Sequence, residues 1–230
     1  MEQLDKDELA FLAYLSDYVT PHKKALIDKV LGERTRYITL VLENIYKPHN
    51  ASAVLRTADC FGIQDVHVIE GDNSYDINPY VTRGAAQWVD LHKYDNASGN
   101  ATEDCIKQLK HNGYKVVVTS PREGSLPVSD LSIDQPLALI FGNEHEGVSQ
   151  AAMEAADGLV HIPMKGFTES FNISVSAAIC LYALQEKIGG ESMDNYSLNE
   201  AEKLKLKYRW YQEIVKHSAA YKRAFFHNRK

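Results

Sequence analysis

Between Tyr37 and Ile188 the chain alternates short apolar, β-branched runs with stretches of helical period. Tyr37–Leu42, Asp65–Ile69, Lys115–Thr119, Leu137–Phe141 and Leu159–Ile162 read as strands, and Trp88–Tyr94 alternates as a half-covered strand does. Between them, helices are predicted over Asn50–Phe61 with Gly62 as stop and over Thr102–Asn112, closed by Gly113. A short helix capped by Ser149 runs to Ala156, and a long one over Asn172–Ile188 stops at Gly189-Gly190. Near-continuous apolar strands separated by helices predict an α/β domain with a mainly parallel sheet covered on both faces. That domain takes residues 36–190. Residues 7–33 read as helical, broken where Thr20 suits an N-cap and Pro21 a first helical position, which makes 1–35 an N-terminal helical extension. Ser197 is the predicted cap of a basic helix in a C-terminal extension, 191–230.

Composition narrows the class without naming a function. With 230 residues, 44% hydrophobic and 24% charged, the chain has enough apolar mass for a large core and no bias toward disorder or fibres. No apolar run approaches the length of a membrane span, and the acidic start is unlike a signal peptide, so the expected location is the cytoplasm. Three widely spaced cysteines, Cys60, Cys105 and Cys180, suit neither a disulfide framework nor a thiolate metal site.

Net charge is −6, but the sign is unevenly spread. Residues 201–230 carry nine Lys and Arg against two Glu, and aromatic residues are interleaved among them. Such a pattern fits a solvated helix face or an electrostatic footprint for phosphates. With a smaller cluster before the first strand, the candidate RNA-binding cations are Lys23, Lys24, Arg34, Arg36, Lys203, Lys207, Arg209, Lys222 and Arg223.

Common catalytic signatures are absent: there is no G-x-G-x-x-G after a strand, no P-loop, no G-x-S-x-G and no H-E-x-x-H. Glu144-His145-Glu146 lacks a second ligand group at zinc-like spacing, so no metal is expected. Parallel sheets hold ligands at the carboxyl ends of their strands, which directs attention to the loops after Leu42, Thr119, Phe141 and Ile162. Polar segments rich in Asn, Gly, Ser and charged residues stand in three of those places: Glu43–Thr57, Phe141–Ser149 and Ile162–Ser176. Individually, Asn50 and Asn172 fit helix caps and Arg56 fits a one-turn pair with Asp59. Collectively they gather at a sheet's ligand crevice.

The segments N-x-x-x-x-x-R-T at Asn50–Thr57, G-x-E-x-x-G at Gly142–Gly147 and I-P-M…S-x-N-x-S-V at Ile162–Val175 resemble the three motifs of the SpoU RNA 2′-O-ribose methyltransferases. The longer stretch Leu42–Asn50, followed by Trp88-Val89, is similar to the TrmH branch, which modifies the D-loop guanosine 18 of tRNA. The resemblance implies a deep trefoil knot in the C-terminal part of the domain, S-adenosylmethionine as methyl donor, a homodimer, and tRNA as partner, with ribosomal RNA or a catalytically silent RNA-binding protein as alternatives. It assigns catalysis to Arg56, assisted by Asn50, with Glu144, Ser170 and Asn172 completing the pocket. Cofactor contacts fall on Thr119, Gly142, Ile162, Met164 and Phe171. Two features depart from the pattern: Phe171 stands where the family usually has Leu, and Asn143-Glu144-His145-Glu146 adds an acid on the side from which RNA approaches.

Overall fold

A computed structural model describes residues 3–71, 82, 84–95, 99–189 and 195–227; Gly190, Arg229 and Lys230 lie outside them. The described chain divides into two compact units, one of residues 35–196 and one formed jointly by 1–34 and 197–230. The two terminal segments, expected as separate extensions, therefore make a single unit.

In the larger unit seven parallel strands run β1 (Ile38–Glu43), β2 (Asp65–Ile69), β3 (Asp90–Tyr94), β4 (Lys115–Thr119), β5 (Leu126–Pro127), β6 (Leu137–Phe141) and β7 (Gly158–His161). Their spatial order is β3-β2-β1-β6-β4-β7-β5. The central strand β1 is paired on both sides, Leu40 opposite both Val66 and Leu139, and all six of its residues are buried. Two-residue periodicity sorts that strand by face. Ile38, Leu40 and Leu42 join Val54, Leu55, Cys180, Leu181 and Leu184 from α3 (Pro48–Cys60) and α6 (Ile173–Ile188). Val41 faces Cys105, Ile106 and Leu109 of α4 (Ala101–His111) and Ala152 of α5 (Gln150–Ala155). Each fully buried aliphatic side chain contributes about 1.5–3 kcal/mol, so the two layers fix which loops meet at the strand ends.

β7 ends one residue earlier than predicted, and the Trp88–Tyr94 strand begins only at Asp90. The two-residue strand β5 has no sequence signature: it is too short for periodicity and contains Pro127.

The smaller unit is helical: α1 (Lys6–Ser16), α2 (Pro21–Gly32), α7 (Glu200–Ile214) and α8 (Ser218–His227). Thr20 caps α2 and Pro21 opens it, as the sequence predicts. The cap of α7 is Asn199, in a reciprocal capping box with Glu202, rather than Ser197. Ser197 and Glu200 stand at the same three-residue spacing, so the pattern offered two starts. The basic helix is also two helices, interrupted around His217, whose φ of 62° no α-helix accommodates. Trp210 and Tyr211 are buried, and Phe11 packs against Phe225 and Phe226 at 5.3 and 5.8 Å between ring centroids.

Candidate active site

The carboxyl ends of β1, β6, β4 and β7 release four loops side by side, and a chain of side-chain amides ties three of them together. Asn50, in the first turn of α3, donates from Nδ2 to Glu144 Oε1 at 2.6 Å and accepts at Oδ1 from Asn172 Nδ2 at 3.2 Å. Glu144 Oε2 accepts the Tyr46 backbone N–H at 3.2 Å. Asn172 caps α6, its Oδ1 accepting from the Ser174 N–H at 2.9 Å and from the Ser174 hydroxyl at 2.7 Å. Asn172 thus has the capping role that its sequence position suggested. Asn50 does not cap: α3 starts at Pro48, and the amide is released to bridge the other two loops.

The turn after β6 is held by its own geometry. Asn143 and Gly147 exchange backbone hydrogen bonds at 2.9 and 2.8 Å, Gly147 has φ of 76°, and Asn143 Oδ1 accepts from the His145 N–H at 2.8 Å. A Cβ on Gly142 would stand 2.3 Å from Gly147 C and O and from Val148 N. Only glycine allows the strand end to approach the returning chain that closely.

Two joined recesses lie against these loops. One, of about 110 Å³, is lined by Thr119, Ile162, Met164, Ser170, Phe171 and, at its floor, Val160 and Cys180. The other, of about 680 Å³, shares Thr119, Ser170 and Phe171 and adds Gly142, Asn50, Glu144, Lys47 and Asn172. All five residues assigned to cofactor contact, and four of the five assigned to catalysis, therefore line one continuous cleft. Apolar Ile162, Met164 and Phe171 flanking the exposed backbone of a Pro-containing turn suit an adenine, and the polar recess beside them suits a charged aminoacyl tail. The residues present fit S-adenosylmethionine. Burial pushes the Cys180 thiol up to about 12, so it is an inert wall rather than a nucleophile.

Arg56 is placed differently. It is exposed on α3, six residues and about 9 Å of helix rise beyond Asn50, and is not among the residues lining the cleft. Its guanidinium has no hydrogen bond or ion pair with the described residues.

Sequence reasoning missed Ser120, Pro121, His161, Glu169, Ser176 and Cys180 as lining residues. The loop after Thr119 was a marked place, but Ser120-Pro121 carries no motif. Ser176 follows Asn172 by one helical turn, a spacing that gives it away only once Asn172 is known to face the site. Among the described residues no group of three or more His, Cys, Asp or Glu is arranged to hold a metal. A cavity of about 800 Å³ near Tyr37, Ile133 and Lys187 lies at the amino end of the sheet, away from these loops.

The candidate RNA-binding cations separate into three groups. Arg34 is 2% exposed and stacks over Trp210 at 5.4 Å, which corrects its assignment to an RNA surface; Arg36, its side chain 20% exposed, is clamped by Asp65 and Asp90. Lys203 pairs with Glu200, Lys207 with Asp28, and Lys222 lies 5.4 Å over Tyr208; Arg209 is half-buried. Exposed Lys23 and Arg223, with half-buried Lys24, have no ion-pair partner among the described residues.

Comparison with known proteins gives a consistent result. The profile of the SpoU rRNA Methylase family matches residues 37–182. A tRNA (guanosine(18)-2′-O)-methyltransferase of Borreliella burgdorferi is 45% identical over 213 residues, covering 93% of this chain and 95% of that protein. The enzyme of the same description from Thermus thermophilus is 33% identical, covering 73% and 84%. Among solved structures, the A. aeolicus TrmH/SpoU tRNA modifying enzyme superposes with a TM-score of 0.74 at 30% identity, over 84% of this chain and 96% of that one.

Proposed function

The chain belongs to the SpoU methylase family, and on that premise we propose that it methylates the 2′-oxygen of a ribose in tRNA, the D-loop guanosine at position 18, from S-adenosylmethionine. The observation that carries this reading is the Glu144–Asn50–Asn172 relay, which gathers three strand-end loops around one cleft of cofactor shape. The identity to guanosine-18 enzymes over nearly the whole chain supports the choice of substrate.

S-adenosylmethionine supplies a methyl group activated on a sulfonium, so neither a metal nor a covalent enzyme intermediate is needed. What the protein contributes is position and charge. Thr119, Gly142, Ile162, Met164 and Phe171 would hold the cofactor, Gly142 through its backbone. Glu144 and Asn50 spend their hydrogen bonds on each other, on Tyr46 and on Asn172, and so hold the cleft in shape. Ser170 offers its hydroxyl at the mouth. Arg56, uncommitted in the free protein, pairs with the phosphate beside the target ribose and stabilises the developing alkoxide; a guanidinium keeps its proton in almost any setting, which favours this role over that of a base.

The same reading extends to the deep trefoil knot through β6, β7 and α6, to a cytoplasmic location and to a homodimer. Val175 and Tyr182, seven residues apart on α6, are 43% and 59% exposed, an apolar stripe suited to a second copy. Among the described residues no helix is long and apolar enough to cross a membrane. Exposed Lys23 and Arg223, with Lys24, contribute to tRNA affinity.

Incubation with labelled S-adenosylmethionine and unmodified tRNA, followed by nuclease mapping, is expected to give one methylated ribose in the D-loop. Transfer to a base nitrogen, or to no RNA, overturns the reading.

A further inference from the structure

A second crevice, of about 460 Å³, opens at the carboxyl ends of β1 and β2, on the other side of the 142–149 turn from the cofactor cleft. The volume is in the range of small-ligand pockets, and Asn143, Glu146, Gly147 and Val148 line both spaces. Its floor is built. Glu43, 3% exposed, accepts from the Thr102 hydroxyl at 2.7 Å, the Ser149 hydroxyl at 2.6 Å and the Ser149 N–H at 2.8 Å, which ties the starts of α4 and α5 to the end of β1. Asn44 leaves β1 with φ of 49° and lies so close to Gly71 that a Cβ there would stand 2.7 Å from Asn44 Cγ.

On this saturated floor stand two charged side chains that are not saturated. Arg122 and Glu146 both line the crevice, and neither side chain has a hydrogen bond or ion pair with the described residues. They have opposite signs and do not pair with each other, so the space between them is free for a ligand that presents acceptors to one and donors to the other. Guanine does this. Its O6 and N7 accept from a guanidinium in the bidentate manner common in nucleic-acid recognition, and N1–H with the 2-amino group form two parallel donors for a carboxylate. Adenine offers an acceptor at N1, which a carboxylate repels, and a donor at N6, which a guanidinium cannot use.

We infer that this crevice receives the base of the target nucleotide, with Glu146 reading its Watson–Crick edge and Arg122 its O6 and N7. This rests on the methyltransferase reading and deepens it: the base is anchored on one side of the 142–149 turn while the ribose reaches the cofactor cleft on the other. It also gives a use to the acid that stands where RNA approaches. Glu146 repels phosphates but selects guanosine.

The test uses the full-length protein, S-adenosylmethionine, and tRNA transcripts carrying guanosine, inosine or adenosine at the methylated position. Inosine keeps O6 and N7 and lacks only the 2-amino group. Wild-type protein is expected to prefer guanosine over inosine by about tenfold in kcat/KM, and over adenosine by more. Glu146→Ala is expected to lower kcat/KM for guanosine about tenfold to a hundredfold and to erase the preference over inosine, with the calorimetric Kd for S-adenosylmethionine unchanged within about twofold. Arg122→Ala should slow guanosine and inosine alike. A Glu146→Ala protein that still separates guanosine from inosine, or that loses cofactor affinity in step with turnover, overturns the assignment. Absence of transfer by the wild-type protein to any of the three transcripts overturns the enzyme reading and this one with it.

Discussion

Two polar clusters sit on the same sheet, at opposite ends of neighbouring strands, and they differ in what they leave unspent. At the amino ends of β2 and β3 the in-register pairs Asp65/Asp90 and His67/His92 point to one face. Arg36 bridges both aspartates, His92 Nε2 donates to Asp65 at 2.8 Å, and His67 stacks on His92 with ring centroids 4.6 Å apart. At the carboxyl ends, Glu43 and the Glu144–Asn50–Asn172 relay are likewise hydrogen-bonded, but around them Arg122 and Glu146 are uncommitted, as is Arg56 farther along α3. Density of charge does not tell the two clusters apart. The closed one pairs its charged groups with one another within the fold and acts as a brace, whereas the open one keeps charged groups exposed beside a cleft, where a ligand can take the place of solvent.

This contrast predicts that substitutions at the two ends fail in different ways. The largest effect is expected from Asp65→Ala, which leaves Arg36 and His92 without their shared, buried acceptor. Loss of about 3–5 kcal/mol of stability in denaturant titrations is expected, with kcat/KM near wild type wherever the protein remains folded. Arg56→Ala is expected to do the reverse: turnover falls about a thousandfold, equivalent to about 4 kcal/mol in the transition state, while the melting temperature and the calorimetric affinity for S-adenosylmethionine hold. Equal loss of cofactor affinity would make Arg56 part of the scaffold and erase the contrast. Gly142→Ala tests the saturated part of the open end. Displacement of the 142–147 turn should lower cofactor affinity by about tenfold or more, at a modest cost in stability, and unchanged affinity would show that the close approach is dispensable.

Much of the architecture was legible because buried parallel strands leave a near-continuous apolar trace. Leu137–Phe141 and Lys115–Thr119 were placed to the residue for that reason. The cleft was legible through strand ends and motif spacing: Asn50, Glu144, Ser170 and Asn172 converge as expected. What stayed hidden depends on distances in space. A count of cations could not show that Arg34 is buried over Trp210 or that Arg36 is clamped between two aspartates. The start of α7 was ambiguous because Ser197 and Asn199 each stand three residues before a glutamate. The separation of Arg56 from Asn50 was readable from helical phase, since six residues turn the helix about 600° and put the two on different faces. Glu146 appeared only as an anomaly, because its meaning lies in a crevice that no single segment encodes.

The last expected effect isolates the closed end by pH. Tyr94 Oη donates to Gln108 Oε1 at 2.8 Å, so at 3.2 Å it accepts from His67 Nδ1–H, which fixes the imidazole in one neutral tautomer. Burial, reinforced by the neighbouring His92 and only partly offset by Asp65, lowers the His67 pKa from 6.5 to about 4. Between those values the unfolded chain binds a proton that the folded protein does not, so stability falls as pH drops from 6.5 to 4, by about 3 kcal/mol in all. Burial would raise the Asp65 carboxyl, but the His92 hydrogen bond and the Arg36 guanidinium outweigh it and hold it low, so its own loss of stability comes at more acid pH. His67→Asn retains a donor near the Nδ1 position and removes the titration. Its melting temperature should therefore decline less than that of the wild type between pH 7 and pH 4.5. Parallel declines would mean that the stacked imidazole pair already shares a proton in the folded state, and the amino-end brace would then be an open cluster like its counterpart.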